Sequence, residues 1–162
     1  MKIFINTFII VLFFYIGIHQ IQSQNHSIKK DSIEVHHVIN NLFDGIVEGD
    51  SIKVKNSLHE NVTIITSNKN RQNVNQIKEV SVVEFLNGII DKKLEEWNEK
   101  IWSITIQLED GFARVWTNYS FYMDSQLSHC GVKSFQLVKE SNENWKIVNF
   151  VDSKKKNGCQ TL

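Results

Sequence analysis

The feature that most limits what this chain can fold into is the segment from Trp102 to Tyr119. Trp102, Ile104, Ile106 and Leu108 alternate with Ser103, Thr105 and Gln107, the period of a strand with one buried face. Asp110-Gly111 then supplies a two-residue hairpin turn. Pairing across it sets Leu108 opposite Ala113, Ile106 opposite Val115, Ile104 opposite Thr117 and Trp102 opposite Tyr119. A slip of one residue would turn the whole apolar set to solvent, so the register is well determined. Polar clusters at residues 124–127 and 141–144 turn two more hairpins, and returning strands over residues 130–139 and 145–152 complete a four-stranded meander.

Ahead of the meander the period is helical. Asp31 with Glu34 reads as a capping box opening a helix whose apolar stripe is Val35, Val38, Ile39, Leu42 and Ile46. Gly49 stops it and Asp50 caps a second short helix carrying Ile52, Val54 and Leu58. Residues 61–66 read as a strand and residues 67–75 as an Asn-rich loop. Ser81 with Glu84 is a second capping box, leading a helix with Val82, Phe85, Leu86, Ile89 and Ile90 on its buried side. The order of elements predicts an α+β fold with three N-terminal helices packed on one face of a curved, mainly antiparallel sheet. The chain has no proline, which suits long uninterrupted strands turned by Gly, Asn, Asp and Ser.

Lys2 followed by the apolar run Ile3 to Ile18 and an abrupt polar turn reads as a secretory signal peptide over residues 1–23. The run is too short for a membrane span, which needs about 20 apolar residues, so no stable span is expected after cleavage. Residues 24–30 are polar and expected to be a disordered linker, leaving residues 31–159 as the folded domain. Export to the periplasm or beyond makes Cys130 and Cys159 a candidate disulfide, with two buried free thiols as the alternative. A tail looping back from Lys154, beside Gly131, would bring the two sulfurs together. Balanced charge, 18 Lys plus Arg against 18 Asp plus Glu with only Arg71 and Arg114 as guanidinium forks, argues against a nucleic-acid partner, which needs a basic stripe. His36 and His37 are adjacent on a helix and point about 100° apart, so they do not chelate one metal. No metal site and no cofactor are expected.

The runs Ala113-Arg114-Val115-Trp116, Tyr119-Ser120-Phe121, Ser128-His129-Cys130-Gly131, Phe135-Gln136-Leu137-Val138-Lys139, Trp145-Lys146-Ile147 and Asp152-Ser153 resemble the nuclear transport factor 2-like superfamily, also called SnoaL-like. More closely they resemble its bacterial exported branch labelled putative lumazine-binding. The resemblance covers nearly all of residues 31–159 and implies a cystatin-like cone whose helices close over the concave sheet face. Folds of this kind host binding proteins, isomerases and dehydratases alike, so function must come from the site.

By the register above, the concave face carries Trp102, Thr117, Tyr119, Phe121, Phe135 and Phe150 as ligand-binding candidates. Ile104, Leu137 and Val148 share that face. Tyr119 and Asp152 are the candidate acid and base, with His129 at a hairpin end as a third catalytic candidate. A carboxyl in an apolar wall has a raised pKa, and a Tyr beside such a carboxyl can donate to a developing oxyanion. The alternative is that Tyr119 merely packs and Asp152 ends the last strand. His36 flanks the first helix's stripe and is a candidate to reach the pocket. Trp116 and Tyr122, joined by Trp145, Ile147 and Val151, form an aromatic outer face that predicts a homodimer. The leading expectation is an exported domain binding a small apolar or aromatic molecule. The alternatives are a cofactor-free dehydratase or isomerase using Tyr119 and Asp152, and a protein-interaction domain acting through its outer sheet.

Overall fold

A computed structural model describes residues 27–70, 72–91 and 97–160. Two compact units are distinguished, residues 1–33 and 34–162. The expected signal peptide lies outside the described residues. Of the first unit only residues 27–33 are described, and they are helical.

Among the described residues helix α1 covers 27–48, so residues 27–30 of the expected linker are helical and Asp31 is not its cap. Ser27, Ile28, Lys29 and Lys30 contain neither Gly nor Pro to stop the helix from extending backwards. From Glu34 onward the stripe behaves as its spacing predicts: Val35, Ile39 and Leu42 are fully buried and Ile46 nearly so. Gly49, at φ +71°, ends the helix in the left-handed conformation that favours glycine. Helix α2 (Ser51–Ser57) is capped by Asp50, whose carboxylate accepts from the Ile52 and Lys53 amides. Helix α3 (Val82–Asp91) follows Ser81, whose hydroxyl accepts from the Glu84 amide. The Glu84 carboxylate does not close the second half of a capping box, because it pairs with Lys78. Ile90 faces solvent, whereas Ile89 is buried.

Six strands form one sheet in the order β2-β1-β6-β5-β4-β3. They are β1 (Leu58–Lys69), β2 (Asn75–Val80), β3 (Trp97–Glu109), β4 (Phe112–Met123), β5 (Gln126–Lys139) and β6 (Trp145–Lys155). Among the described strands only β1 and β6 run parallel. The expected loop over residues 67–75 is instead the end of β1, a tight turn and the start of β2. The meander is present, with Gly111, Asp124 and Ser125 at positive φ in its turns.

Among the described residues, single-residue bulges interrupt the meander at Trp102, Ser128 and Val148, and the first and last of them alter the expected faces. The β3–β4 register follows the expected pairs from Leu108↔Ala113 to Ile104↔Thr117, then shifts so that Ile101 rather than Trp102 opposes Tyr119. A bulge inserts one unpaired residue and re-aims the side chains beyond it. Trp102 accordingly leaves the concave face and is 40% exposed. The last shift, between Gln136 and Leu137, leaves Val148 unpaired and sets Ile147 opposite Leu137. Trp145 and Ile147 therefore turn inward and are buried in the core, which corrects their placement on the outer face. The core between helices and sheet is a continuous apolar cluster including Leu42, Phe43, Val115, Phe135, Leu137 and Ile147.

Candidate functional site

Above the apolar core, on the same sheet face, lies a polar cluster built by strand register. Tyr119 on β4 sits opposite Gly131 on β5, and Gly131 opposite Lys154 on β6. One residue pair deeper, Lys133 sits opposite Asp152. Because Gly131 has no side chain, the Tyr119 ring crosses over it and donates its hydroxyl to Asp152 Oδ1, two strands away, at 2.7 Å. A Cβ on Gly131 would stand 3.1 Å from the Tyr119 ring and 1.9 Å from the Ser153 carbonyl oxygen. Glycine is thus the residue this crossing requires. Lys154 Nζ lies 3.3 Å from Asp152 Oδ2, so both carboxylate oxygens are engaged.

Beneath this bond is an ion pair that the sequence reading missed. Lys133 Nζ donates to Glu99 Oε1, and both side chains are almost completely buried. The ammonium also lies over three rings, 4.4 Å from the centroid of Tyr119, 5.2 Å from Phe43 and 5.8 Å from Phe150, a cation–π setting that offsets part of its lost hydration. Burial raises the Glu99 carboxyl above its usual range, with the Lys133 charge opposing. The Tyr119 hydroxyl is also raised strongly, first by burial and then by the Asp152 charge and hydrogen bond. It is therefore a fixed donor at any physiological pH.

His129 occupies the outer end of this cluster. Its ring stacks on Phe121 at 4.7 Å and 28°, and meets Tyr119 edge-on at 5.9 Å. Burial, then the Lys154 charge, lowers its pKa to about 4, so the imidazole is neutral at pH 7. His129 also borders an open cleft of about 630 Å³, together with the β1–β2 turn and the end of β6. That volume falls within the range of small-molecule sites.

The remaining candidates fall elsewhere. Thr117, Phe135 and Phe150 are buried in packing, with Phe135 stacked on Phe150 and edge-on to Phe43. Trp102 borders a different cavity of about 340 Å³, with Cys130, Val132 and Gln160. His36 is exposed and hydrogen-bonds Asn40, so it does not reach the cluster. Cys130 and Cys159 form a disulfide, and Ser120 Oγ donates to the Gln160 carbonyl, pinning the C-terminal tail across the outer face. The alternation of Lys133 and Gly131 with Phe135 could have placed both on the concave face. Glu99 could not be placed, because the bulge at Trp102 separates its parity from that of Ile104.

A model of the family described as "putative lumazine-binding" matches residues 30–151. Among solved structures, the chain is similar to a putative ketosteroid isomerase from Shewanella frigidimarina, with a TM-score of 0.57 at 17% identity over 74% of this chain and 94% of that one. A protein with a cystatin-like fold from Novosphingobium aromaticivorans gives 0.63 at 9% identity over 85% and 89%. A putative dehydratase from Streptomyces avermitilis gives 0.56 at 10% over 78% and 97%. At these identities the likenesses establish the fold. No curated protein matches.

Proposed function

The chain belongs to the putative lumazine-binding family of the nuclear transport factor 2-like superfamily, and on that premise we propose that it binds a small aromatic molecule at the cleft bordered by His129. The observation that carries this reading is the His129 ring at the cleft wall, backed by its stack on Phe121, with Lys154 of the Tyr119–Asp152–Lys154 hydrogen-bonded group lining the same cleft. A stacked pair of half-buried rings offers an aromatic face, and fixed polar groups beside it orient a heterocycle. The cone below is occupied by packed Phe135 and Phe150, so the ligand rests on the cluster and does not penetrate the core. Fluorescence titration with lumazine tests the reading. Saturable binding that weakens about tenfold in Phe121→Ala supports it. No saturable signal at millimolar lumazine or with any of a panel of flat heterocycles overturns it.

The buried 2.7 Å Tyr119–Asp152 bond favours one second reading, an isomerase or dehydratase in which Tyr119 donates to an oxyanion and Asp152 carries the proton, with neutral His129 as an accessory base. Such chemistry requires Asp152 to exchange Tyr119 or Lys154 for substrate, since both its oxygens are engaged. Binding needs no such exchange and is the preferred reading. Under the catalytic reading Tyr119→Phe abolishes turnover with affinity nearly kept. Under the binding reading it changes affinity alone.

The same reading places the domain outside the cytoplasm, supported by the apolar leader and the disulfide. It also makes the domain a homodimer through its outer sheet, supported by Trp116, which is 40% exposed beside Arg114. A single monomer mass by light scattering at micromolar concentration would contradict the dimer.

A further inference from the structure

The cleft has a chemical character of its own. Strands β1 and β6 pair as far as Ser67↔Ser153, yet β1 continues to Lys69 and β6 to Lys155. Past their last pair the strands face each other across the open cleft. Four lysine residues border it, Lys69, Lys154, Lys155 and Lys156, and among the described residues no Asp or Glu does. Among the described residues only Lys154 of these four forms an ion pair, with Asp152. The local excess of positive charge is not inherited from the whole chain, whose formal charge is zero. Asn68 and Asn157 add amide groups that make no hydrogen bond among the described residues. Asn70, by contrast, is consumed in holding the turn, accepting from the Gln72 and Val74 amides.

We propose that this cleft binds the phosphoryl group of a small hydroxyl-bearing molecule, a sugar phosphate by class, with the lysines holding the phosphate and the asparagine amides holding hydroxyls. A cleft bordered by four lysines, of which Lys154 alone is paired with a carboxylate among the described residues, favours an anion of high charge density over a cation or a neutral molecule. Lysine is a point charge suited to a phosphoryl group. The cleft is many times larger than a phosphate ion, and its amides both donate and accept, which matches hydroxyls attached to the anion. The neutral His129 ring, itself under the influence of Lys154 and Lys156, would form the boundary with the aromatic part of the ligand.

This inference rests on the reading of the cleft as a small-molecule site, and the test separates the two. Ribose 5-phosphate, ribose and gluconate are titrated into the isotopically labelled protein, followed by amide shifts, with wild type and a Lys69→Gln/Lys156→Gln variant whose mutated side chains are exposed and lie outside the Tyr119–Asp152 cluster. The expected result is saturable shifts confined to residues 67–75 and 153–157 with ribose 5-phosphate. Affinity falls about tenfold in the variant and falls again with added salt. Ribose binds at least tenfold more weakly. Equal affinity for ribose or gluconate, or an unchanged affinity in the variant, overturns the phosphoryl assignment. So does lumazine binding at Phe121 and His129 with no response to ribose 5-phosphate, an outcome that leaves the aromatic reading standing. Failure of both ligands removes both.

Discussion

Replacing Glu99 by Gln leaves Lys133 charged, buried and without its carboxylate. The Lys133 and Glu99 side chains are 6% and 4% exposed, so neither can recover water without opening the sheet. Breaking such a pair from one side typically costs about 3–5 kcal/mol. Here the three rings around Lys133 Nζ return about 1 kcal/mol, which places the expected loss near 3 kcal/mol. At a urea slope of about 1.5 kcal/mol/M for a domain of this size, the midpoint falls by about 2 M. Lys133→Met should behave differently with pH. The Glu99 carboxyl is already raised by burial, with Lys133 as the main opposing influence, so removing Lys133 raises it further. A carboxyl whose folded pKa lies above its unfolded value contributes stability at low pH that is lost as pH rises through the folded value. The Lys133→Met variant should therefore be nearer wild type at pH 4.5 than at pH 7.5. The double variant Lys133→Met/Glu99→Leu, which leaves no orphan charge, should recover most of the loss. Urea unfolding of the four proteins at the two pH values is the assay. The reasoning is refuted if Glu99→Gln costs under about 1 kcal/mol, or if the double variant is as unstable as the two losses summed.

Gly131→Ala should be severe, because the added methyl meets the Ser153 carbonyl at 1.9 Å and the Tyr119 ring. We expect a loss of about 3 kcal/mol or more in thermal or urea unfolding, and a loss under about 1 kcal/mol would show that Tyr119 need not cross this position. His129, lowered to about 4, has a folded pKa below its unfolded value, so its contribution is full at pH 7 and is lost as pH falls from about 6.5 towards 4. Discounted for its half-exposed ring, the acid-side loss attributable to His129 is about 1 kcal/mol, and His129→Gln should flatten the profile by that amount. Breaking the Cys130–Cys159 bond, which closes a separation of 29 residues, should cost about 3.5 kcal/mol on the chain-entropy account. Hydrogen exchange should then show protection lost over residues 156–160 while β4 keeps its own.

Much of the fold was legible because its signals are periodic. The α1 stripe, the Asp50 cap, the Asp110-Gly111 turn and the register up to Ile104 follow from spacing and turn chemistry alone. Strand β2 was not legible, because its residues face solvent nearly throughout, Ile77 included, and an exposed strand carries no alternation. The bulges at Trp102 and Val148 were not legible either. A single unpaired residue has no compositional mark, yet each one reverses the face of everything beyond it, which is how Trp145 and Ile147 came to be expected outside. Tyr119 and Asp152 were paired by their shared face, and they do bond. Their partners Glu99 and Lys133 were missed because a buried charge breaks the apolar pattern that identifies an inward position. The lysines of the cleft come from two strand ends more than eighty residues apart, Lys69 and Lys154 to Lys156, and only the parallel β1–β6 pairing joins them.

The most direct measurement of the central claim, that the cleft beside His129 holds a small molecule, is native mass spectrometry of the protein purified from its own compartment, alongside a Phe121→Ala/Lys156→Gln variant. The account predicts a retained small organic mass on the wild-type protein that is reduced or absent on the variant. A bare polypeptide mass for both, with no binding of lumazine or ribose 5-phosphate when they are added back, would contradict it.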